Sequence, residues 1–489
     1  MCVVVESVSE STPVTSKWLA LATSSLGALL GAFMFTSINV ALPSLSKTFE
    51  TEFNVVQWVV LAYLLASGTL LPIVGRWADI VGKKQLFILG YALFTVGSLL
   101  CGLAPGMGWL IAFRTLQGLG SAFLTALGLA IITDVFPSEE RGRAIGINGS
   151  VLSAGIVIGP TLGGFLIDAL TWRWIFFSAV PTGLVGMFLA YRFIAASRPG
   201  GGQRLDLAGS GLLFLALLSL SFALTLGQDA GFGSSLILTL FLSSVLLTTV
   251  FLGHELAVSD PVIELKLFRN PRLSVGLGIG LPTFIAISGT ILLMPFYLEN
   301  VLGYSPRNVG LLMSIAPISL IGAAPLAGAA ADHFGERPIA LIGLGILLTG
   351  YFAIGTLSES TTALGYLFRF LPIGLGMGIF QTPNSSAIMG SVPRERSGVA
   401  GGLLAMTRTL GSSAGIAVLG ALWVARVNAR AGAVVGTDAT PAIQVAGLQD
   451  LFLAVQIMIG LAFLVALWDT FRPRRTALAM DGVRNLPQE

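Results

Sequence analysis

The sequence predicts an all-α membrane protein with fourteen spanning helices, arranged as two six-helix lobes with two further helices inserted between them. Three observations predict this class: the composition of the chain, the placement of its basic residues and an internal duplication. Of the 489 residues, 54% are hydrophobic and only 10% are charged, and the mean hydropathy is +0.87. Because soluble proteins carry about 25% charged residues, a soluble enzyme and a disordered chain are both excluded. The 60 glycines favour closely packed helices over a barrel of alternating strands.

Apolar runs of about 20 residues are long enough to cross a bilayer as helices. The chain contains fourteen such runs, at residues 18–43, 55–75, 85–104, 108–133, 143–168, 172–195, 206–227, 232–254, 271–298, 306–331, 337–357, 362–389, 398–424 and 450–471. An even number of spans places both termini on one side of the membrane.

The basic residues support this count. With the N-terminus in the cytoplasm, nineteen of the 27 Lys and Arg residues fall in cytoplasmic segments or at the cytoplasmic ends of spans, five in outer segments or at outer ends, and three well within spans. Cytoplasmic loops carry such an excess, and an error of one span would reverse every later loop. We therefore expect a multi-pass protein of the cell or inner membrane, with the lipid bilayer as its surroundings, both termini in the cytoplasm and an uncleaved first span.

Three short strings recur in the same order at nearly the same spacing. They are G-x3-D-x2-G-x-[KR] from Gly75 and Gly328, Phe-Arg-x-Leu from Phe113 and Phe368, and Glu-Arg from Glu140 and Glu395, offset by 253, 255 and 255 residues. The repeat pairs spans 1–6 with spans 9–14. It predicts a tail (1–17), an N-lobe (18–195), a linker with inserted spans 7 and 8 (196–254), a C-lobe (255–475) and a second tail (476–489). Parallel repeats of this kind can rock around a central site.

Further strings lie at characteristic places in the N-lobe. They are Asn39-Val40-Ala41-Leu42-Pro43, Gln57-Trp58, Arg114-x-x-Gln117-Gly118-x-Gly120, Gly155-x3-Gly159-Pro160-x-x-Gly163-Gly164 and Trp172-Arg173-Trp174-Ile175-Phe176. With them the chain resembles the major facilitator superfamily from about Trp18 to Arg475, and within it the fourteen-span drug:proton antiporters. The resemblance implies the major facilitator fold and export of small amphipathic organic molecules by alternating access, in exchange for protons.

The loop between spans 2 and 3 is a candidate conformational latch. Asp79 can accept hydrogen bonds from a helix N-terminus or pair with an arginine, and the same string recurs in the other lobe. The predicted latch comprises Gly75, Arg76, Asp79, Gly82, Lys83, Asp134 and Asp332. The alternative is an ordinary solvated turn whose charges set the topology.

Two arginines lie inside predicted spans. Arg114 is about six residues into span 4 and Arg408 about ten residues into span 13. Because a charge inside the bilayer is costly, each should face a cavity or a partner. One interpretation places them, with Gln117, on the path of protons or substrate; the other makes each a structural arginine bonded to backbone carbonyls.

Span 5 carries a candidate gate, similar to the motif associated with antiporters. Small residues let helices cross closely, and a proline removes a backbone hydrogen bond and bends its helix. The residues concerned are Gly155, Gly159, Pro160, Gly163 and Gly164. One interpretation is a gate or seal where the lobes meet; ordinary close packing is the other.

The chain departs from its relatives at the expected proton site. They usually carry an aspartate in span 1, and Met34 occupies that position here. Glu299, at the end of span 9, is the best remaining carboxylate, since relatives often have glutamine there. It is a candidate proton-binding group, and an interfacial, solvated glutamate is the alternative.

Small-molecule substrate and protons are the expected partners, with an adaptor or outer-membrane channel added if the source is Gram-negative; nucleic acid is not expected. The candidate substrate cavity comprises Met34, Asn39, Tyr63, Phe284, Met294 and Tyr297. An acid-poor cavity with arginines suits neutral or anionic solutes better than dications.

Neither a cofactor nor a metal is expected, because two cysteines and two histidines form no ligand cluster. No GxxxxGK[ST] string for ATP hydrolysis occurs, and we expect a transporter rather than an enzyme. The alternatives are a metabolite exporter or facilitator without proton coupling, and a membrane sensor that does not transport.

Overall fold

The computed structural model describes residues 14–195, 206–258, 265–392, 397–433 and 436–471. Within them, fourteen helices are long and apolar enough to cross a membrane, which confirms the predicted number. In chain order, spans 1 to 14 are Val14–Phe49; Phe53–Val56 with Trp58–Val81; Lys83–Leu103; Met107–Val135; Ser138–Ala169; Arg173–Phe193; Leu207–Ala230; Ser235–Ala257; Pro271–Phe296 with Tyr297–Val301; Pro306–Met313 with Ile315–Phe334; Glu336–Ile354; Ala363–Gly390; Ser397–Ala414 with Gly415–Leu419 and Gly420–Ala431; and Pro441–Phe471.

The same helix pairings occur in both lobes. In the N-lobe, span 1 packs on span 5, span 2 on span 4, span 3 on span 4 and span 3 on span 6. In the C-lobe, span 9 packs on span 13, span 10 on span 12, span 11 on span 12 and span 11 on span 14. The duplicated strings therefore correspond to duplicated packing, as expected of two six-helix lobes.

Glycines make the closest crossings possible. A methyl group on Gly120 of span 4 would strike the backbone of Phe94 in span 3, and one on Gly376 of span 12 would strike the backbone of Leu347 in span 11. Since no other residue fits such a contact, the glycine content fixes how closely these helices approach.

Four spans are irregular in the half of the protein remote from the termini. Span 2 is interrupted at Gln57 and span 10 at Ser314, and spans 9 and 13 contain single turns of π-helix, Tyr297–Val301 and Gly415–Leu419. Such turns are rare and occur frequently at functional sites. We call the side that carries both termini the terminal face and the opposite side the far face.

The two lobes meet toward the far face. The principal contacts between them join span 5 to span 10, span 2 to span 13 and span 1 to span 9. Gly164 of span 5 lies against Pro306 and Gly310 of span 10. Gly146 lies on the same side of span 5, about five turns nearer the terminal face, and a methyl group there would meet no atom within 4 Å. The space between the lobes therefore opens toward the terminal face.

The inserted helices cover one edge of the interface between the lobes. Span 7 packs on spans 2 and 13. The indole nitrogen of Trp58 donates to Thr225 Oγ1 at 3.2 Å, and its ring lies 4.5 Å from that of Phe222. Span 7 thus contacts both lobes at once.

Candidate transport pathway

The far-face closure is built from short side chains on spans 5 and 10. The Thr161 and Ser314 hydroxyl oxygens are 2.6 Å apart, and Ser314 Oγ also reaches the carbonyl of Val157 at 3.4 Å. Since a glycine on each helix removes the bulk that would separate them, the two lobes touch backbone to backbone here.

The predicted gate residues of span 5 divide between two neighbours. Gly155, Gly159 and Gly163 face span 1 of the same lobe, whereas Pro160 and Gly164 face span 10 of the other lobe. A methyl group on Gly155 would lie 2.8 Å from the carbonyl oxygen of Leu29. The string therefore serves close packing inside the N-lobe and supplies part of the contact between the lobes.

An ion pair joins the lobes beside this contact. Lys47 Nζ, at the end of span 1, is 2.7 Å from Glu299 Oε1, in the π-helical turn of span 9. The Lys47 side chain is 61% exposed and that of Glu299 11%. The second oxygen, Glu299 Oε2, is buried and has no hydrogen-bond partner among the described residues. The pair is thus open to solvent at the lysine and enclosed at the carboxylate.

Three aromatic rings lie behind the ion pair. Phe53 of span 2 contacts Phe296 of span 9 and Trp423 of span 13, each at 5.1 Å between ring centroids and in edge-to-face geometry. Such pairs stabilise beyond the area they bury. This aromatic cluster blocks the path from the central space to the far face.

A vestibule of about 700 Å³ lies outside the cluster, on the far face. Its lining includes Lys47, Phe53 and Phe296 together with three carboxylate residues, Glu50, Glu52 and Asp438. With three acidic groups and one basic group, the vestibule carries a negative potential, which raises the local concentration of protons and other cations.

Arg114 is at the centre of a buried polar cluster inside the N-lobe. It is 0% exposed. Its Nε donates to the Val59 carbonyl at 2.8 Å and its Nη1 to Gln117 Oε1 at 2.5 Å, while Gln117 Nε2 donates to Ser98 Oγ at 2.7 Å. The guanidinium also lies 4.3 Å from the ring centroid of Tyr63.

The contacts of Arg114 join spans 2, 3 and 4. The hydrogen bond to the Val59 carbonyl is of the kind expected if Arg114 is a structural arginine bonded to the backbone. One nitrogen, Arg114 Nη2, is buried and has no hydrogen-bond partner among the described residues. Among the described residues, Arg114 Nη2 is thus the one unsatisfied donor of a guanidinium that is otherwise bonded within the N-lobe.

Arg408 has different surroundings. Its guanidinium carbon lies 5.6 Å from the ring centroid of Phe284 on span 9, and the residue is exposed although it lies well inside span 13. Within the part of the chain that the structure describes, Arg408 has neither a hydrogen bond nor an ion pair. It is therefore a free cation in the depth of the membrane region.

The predicted cavity residues are all largely buried. Tyr63, whose hydroxyl donates to Ser121 at 2.6 Å, belongs to the Arg114 cluster, and Phe284 lies under Arg408. Met34, Asn39, Met294 and Tyr297 are at most 2% exposed and lie in the packed interior. The structure thus associates two of the six with the two arginines inside spans, Arg114 and Arg408, and places the other four within the helix packing.

The structure describes some of the residues of the predicted latch between spans 2 and 3. Gly82 has φ 107°, which a side chain would strain, and it ends span 2 and begins span 3. Lys83 Nζ is 2.5 Å from Asp134 Oδ2 on span 4. The surroundings of Gly75 and the side chains of Arg76 and Asp79 are not among the described parts of the structure.

In the C-lobe the corresponding turn is formed in the same way. Gly335 has φ 88° at the equivalent position. Asp332 is exposed and lines a terminal-face cavity of about 590 Å³, in which Arg337 pairs with Asp469 at 3.2 Å. Asp332, on span 10, therefore adjoins an ion pair that joins spans 11 and 14.

The predicted path residues do not form one site. Arg114 and Gln117 share a cluster in the N-lobe, Arg408 lies in the C-lobe, and Glu299 lies at the far face. Sequence reasoning missed Lys47 as the partner of Glu299, as well as the aromatic cluster of Phe53, Phe296 and Trp423. The one available signal was that Lys47 is the only basic residue between the first two predicted spans.

Comparison with known proteins also indicates a membrane transporter. A sequence model of the Major Facilitator Superfamily matches residues 24–416. Multidrug resistance protein Stp of Mycobacterium tuberculosis is 33% identical over 405 residues, covering 82% of this chain and 75% of that protein. Riboflavin transporter RibZ of Clostridioides difficile is 30% identical over 402 residues, covering 82% and 87%.

Among solved structures, a bacterial homologue of the human lysosomal transporter Spinster, in an inward-facing and unoccupied conformation, superimposes with a TM-score of 0.66. It is 18% identical, and the match covers 93% of this chain and 98% of that one.

The two lobes, the space between them and its closure at one face define a polytopic membrane transporter. The chain belongs to the Major Facilitator Superfamily.

Proposed function

We propose that the protein exports small amphipathic organic compounds by alternating access and that antiport of protons drives the export. The observation that carries this proposal is a central space open at the terminal face and closed at the far face by Lys47–Glu299, the aromatic cluster and the contact of spans 5 and 10. The likeness to proteins described as multidrug and riboflavin transporters supports an organic cargo.

The direction follows from the orientation in the membrane. The excess of basic residues on the terminal face favours a cytoplasmic location for that face, in the cell or inner membrane. The open space then faces the cytoplasm, and this is the state in which an exporter takes up its cargo. The Spinster homologue, which is described as inward-facing, has the same fold.

Glu299 is the carboxylate that we propose for coupling. A proton that reaches it through the acidic vestibule neutralises the carboxylate and removes its attraction for Lys47. The far-face closure is then weakened. An acidic exterior therefore favours the outward-open state, in which cargo leaves. The neutral carboxyl then carries its proton through the closed state, and Glu299 releases it toward the central space on the cytoplasmic side before it pairs with Lys47 again. One proton thus moves inward for each cargo that moves outward.

Transport into proteoliposomes of defined orientation tests the proposal. The probes are riboflavin and 2-naphthoate, each measured with and without an imposed pH gradient. Glu299→Gln is expected to abolish the stimulation by the gradient while leaving probe exchange at equal pH intact. Stimulation by the gradient that persists in Glu299→Gln would exclude Glu299 as the coupling group.

A matched control is available in the C-lobe. Asp450 also forms an ion pair near the far face, with Arg430 at 2.7 Å, but both residues belong to the same lobe. Asp450→Asn is expected to retain the response to the gradient, because it breaks no contact between the lobes.

A second candidate is a facilitator or metabolite exporter without proton coupling. The presence of Met34, fully buried, at the family's proton site favours it. Transport by the unmutated protein that ignores the pH gradient would establish this function in place of the antiporter.

A further inference from the structure

Arg408 lies well inside span 13. It follows Ser397, the first residue of that span, by eleven positions, which is about 16 Å along a helix axis. A charge inside a membrane-spanning helix is costly unless it faces a partner or a water-filled space.

The neighbours of span 13 determine which way Arg408 points. Leu410 and Ser413 line a crevice with Leu213 and Leu217 of span 7. Arg408 is about 160° around the helix from Leu410, so it points away from the inserted helices. Thr409 meets span 2 and Gly411 meets span 9, and the remaining direction is the space between the lobes.

We propose that Arg408 binds the anionic group of the transported compound, so that the cargo is an amphipathic organic anion with a carboxylate or sulfonate. This proposal rests on the proposed export function and names its substrate class. The guanidinium is exposed to the central space, lies over the Phe284 ring and has no carboxylate partner among the described residues. Its planar fork matches a carboxylate in two hydrogen bonds.

The surroundings of Arg408 discriminate against cations. A positive ligand beside Arg408 would meet a like charge, and like-charge contacts are unfavourable. Phe284, 5% exposed beneath the guanidinium, gives the site an apolar floor for the hydrophobic part of the cargo. The site therefore selects both for a negative charge and for an adjoining apolar body.

The far-face vestibule affects how the cargo rebinds. After the closure opens, an anion passes Glu50, Glu52 and Asp438. Their negative potential lowers the local concentration of anions at the far face and so slows rebinding from the exterior. The direction of net transport is set by the gradients that drive the cycle.

Binding of three matched probes to the protein in nanodiscs tests the proposal. The probes are 2-naphthoate, 2-naphthamide and 2-naphthylmethylammonium, which share one ring system and differ in charge, with empty nanodiscs as background. Naphthoate is expected to bind at least about tenfold more tightly than the amide, a difference of about 1.4 kcal/mol. Arg408→Gln is expected to remove that preference without changing the affinity for the amide, and Arg408→Lys to retain part of it.

Arg369→Gln is the matched control, because Arg369 also lies in a span but is bonded to Thr356 and the Gly365 carbonyl near the far face. It is expected to leave all three affinities unchanged. The proposal is overturned if the ammonium binds as tightly as naphthoate, or if Arg408→Gln weakens acid and amide equally. Displacement of naphthoate by chloride at comparable concentration also overturns it, in favour of an inorganic-anion site.

Failure of this proposal is distinguishable from failure of the export function. Transport of riboflavin with no preference for naphthoate leaves the exporter standing and overturns the anion site. Tight, Arg408-dependent binding of naphthoate with no transport of naphthoate or of riboflavin supports the site and overturns the exporter.

Discussion

Arg114 and Arg408 are both arginines inside membrane-spanning helices, yet their surroundings differ. Arg114 is enclosed and donates to a backbone carbonyl and to Gln117. Arg408 is exposed to the space between the lobes and has no such bond among the described residues. These surroundings favour a structural role for Arg114, and they leave Arg408 available for the anion that we propose as cargo.

This contrast gives a prediction for Arg114. Its Nε and Nη1 donate in different directions, and a single lysine ammonium cannot reproduce the planar fork. We therefore expect Arg114→Lys, like Arg114→Ala, to lose transport and to lower the free energy of unfolding by about 2–3 kcal/mol. Thermal unfolding of the purified protein and proteoliposome transport measure the two effects.

Arg369→Lys serves as the control for that experiment, since Arg369 is bonded close to the far face and needs no buried fork. Normal transport and stability of Arg114→Lys would mean that a positive charge alone suffices at position 114.

At this scale the sequence predicted which residues are unusual but not what they touch. Arg114, Arg408 and Glu299 stand out because charged residues are rare in apolar runs. The partners are less visible, because Val59 contributes only a carbonyl group and Lys47 resembles an ordinary loop lysine.

At the scale of helices, the contact of spans 5 and 10 is the structural basis of the closed far face. The hydroxyl oxygens of Thr161 and Ser314 are 2.6 Å apart, which is close enough for cysteines at these positions to approach disulfide geometry. Oxidation of Thr161→Cys/Ser314→Cys is therefore expected to cross-link the lobes and to stop transport, with recovery on reduction.

Mass spectrometry of the linked peptides and transport before and after reduction provide the measurement, in a Cys2→Ser background. The single variant Thr161→Cys is the control. Undiminished transport by a fully cross-linked protein would show that spans 5 and 10 need not separate.

The number and order of the helices were predictable because each span is long and apolar. Their interruptions were not. Hydropathy does not distinguish a regular helix from one that breaks at Gln57 or Ser314, or from one with a π-helical turn at Glu299. Those irregularities depend on packing between lobes, which brings together residues far apart in the sequence.

At the scale of the whole molecule, the open terminal face can be tested by chemical labelling. Gly146 lines the open half of span 5, and Thr440 is exposed on the far face. A membrane-impermeant maleimide is expected to label Gly146→Cys only from the cytoplasmic side, in inside-out vesicles, and Thr440→Cys only from the exterior, in spheroplasts.

The cross-linked Thr161→Cys/Ser314→Cys protein provides a control, since it is held with the terminal face open. In it, labelling of Gly146→Cys is expected to be at least as rapid as in the unlinked protein. The reverse pattern of sidedness would place the terminal face outside and contradict export.

The ion pair Lys47–Glu299 has a consequence for the energetics of the cycle. A pair with one exposed partner contributes only about 0.2–1 kcal/mol, which changes the ratio of two conformations by a factor of about 1.4–5. A contribution of this size changes which conformation predominates only where the two conformations are nearly equal in free energy. Because salt screens the attraction across the solvent-exposed side of the pair, the fraction of molecules closed at the far face should fall as ionic strength rises.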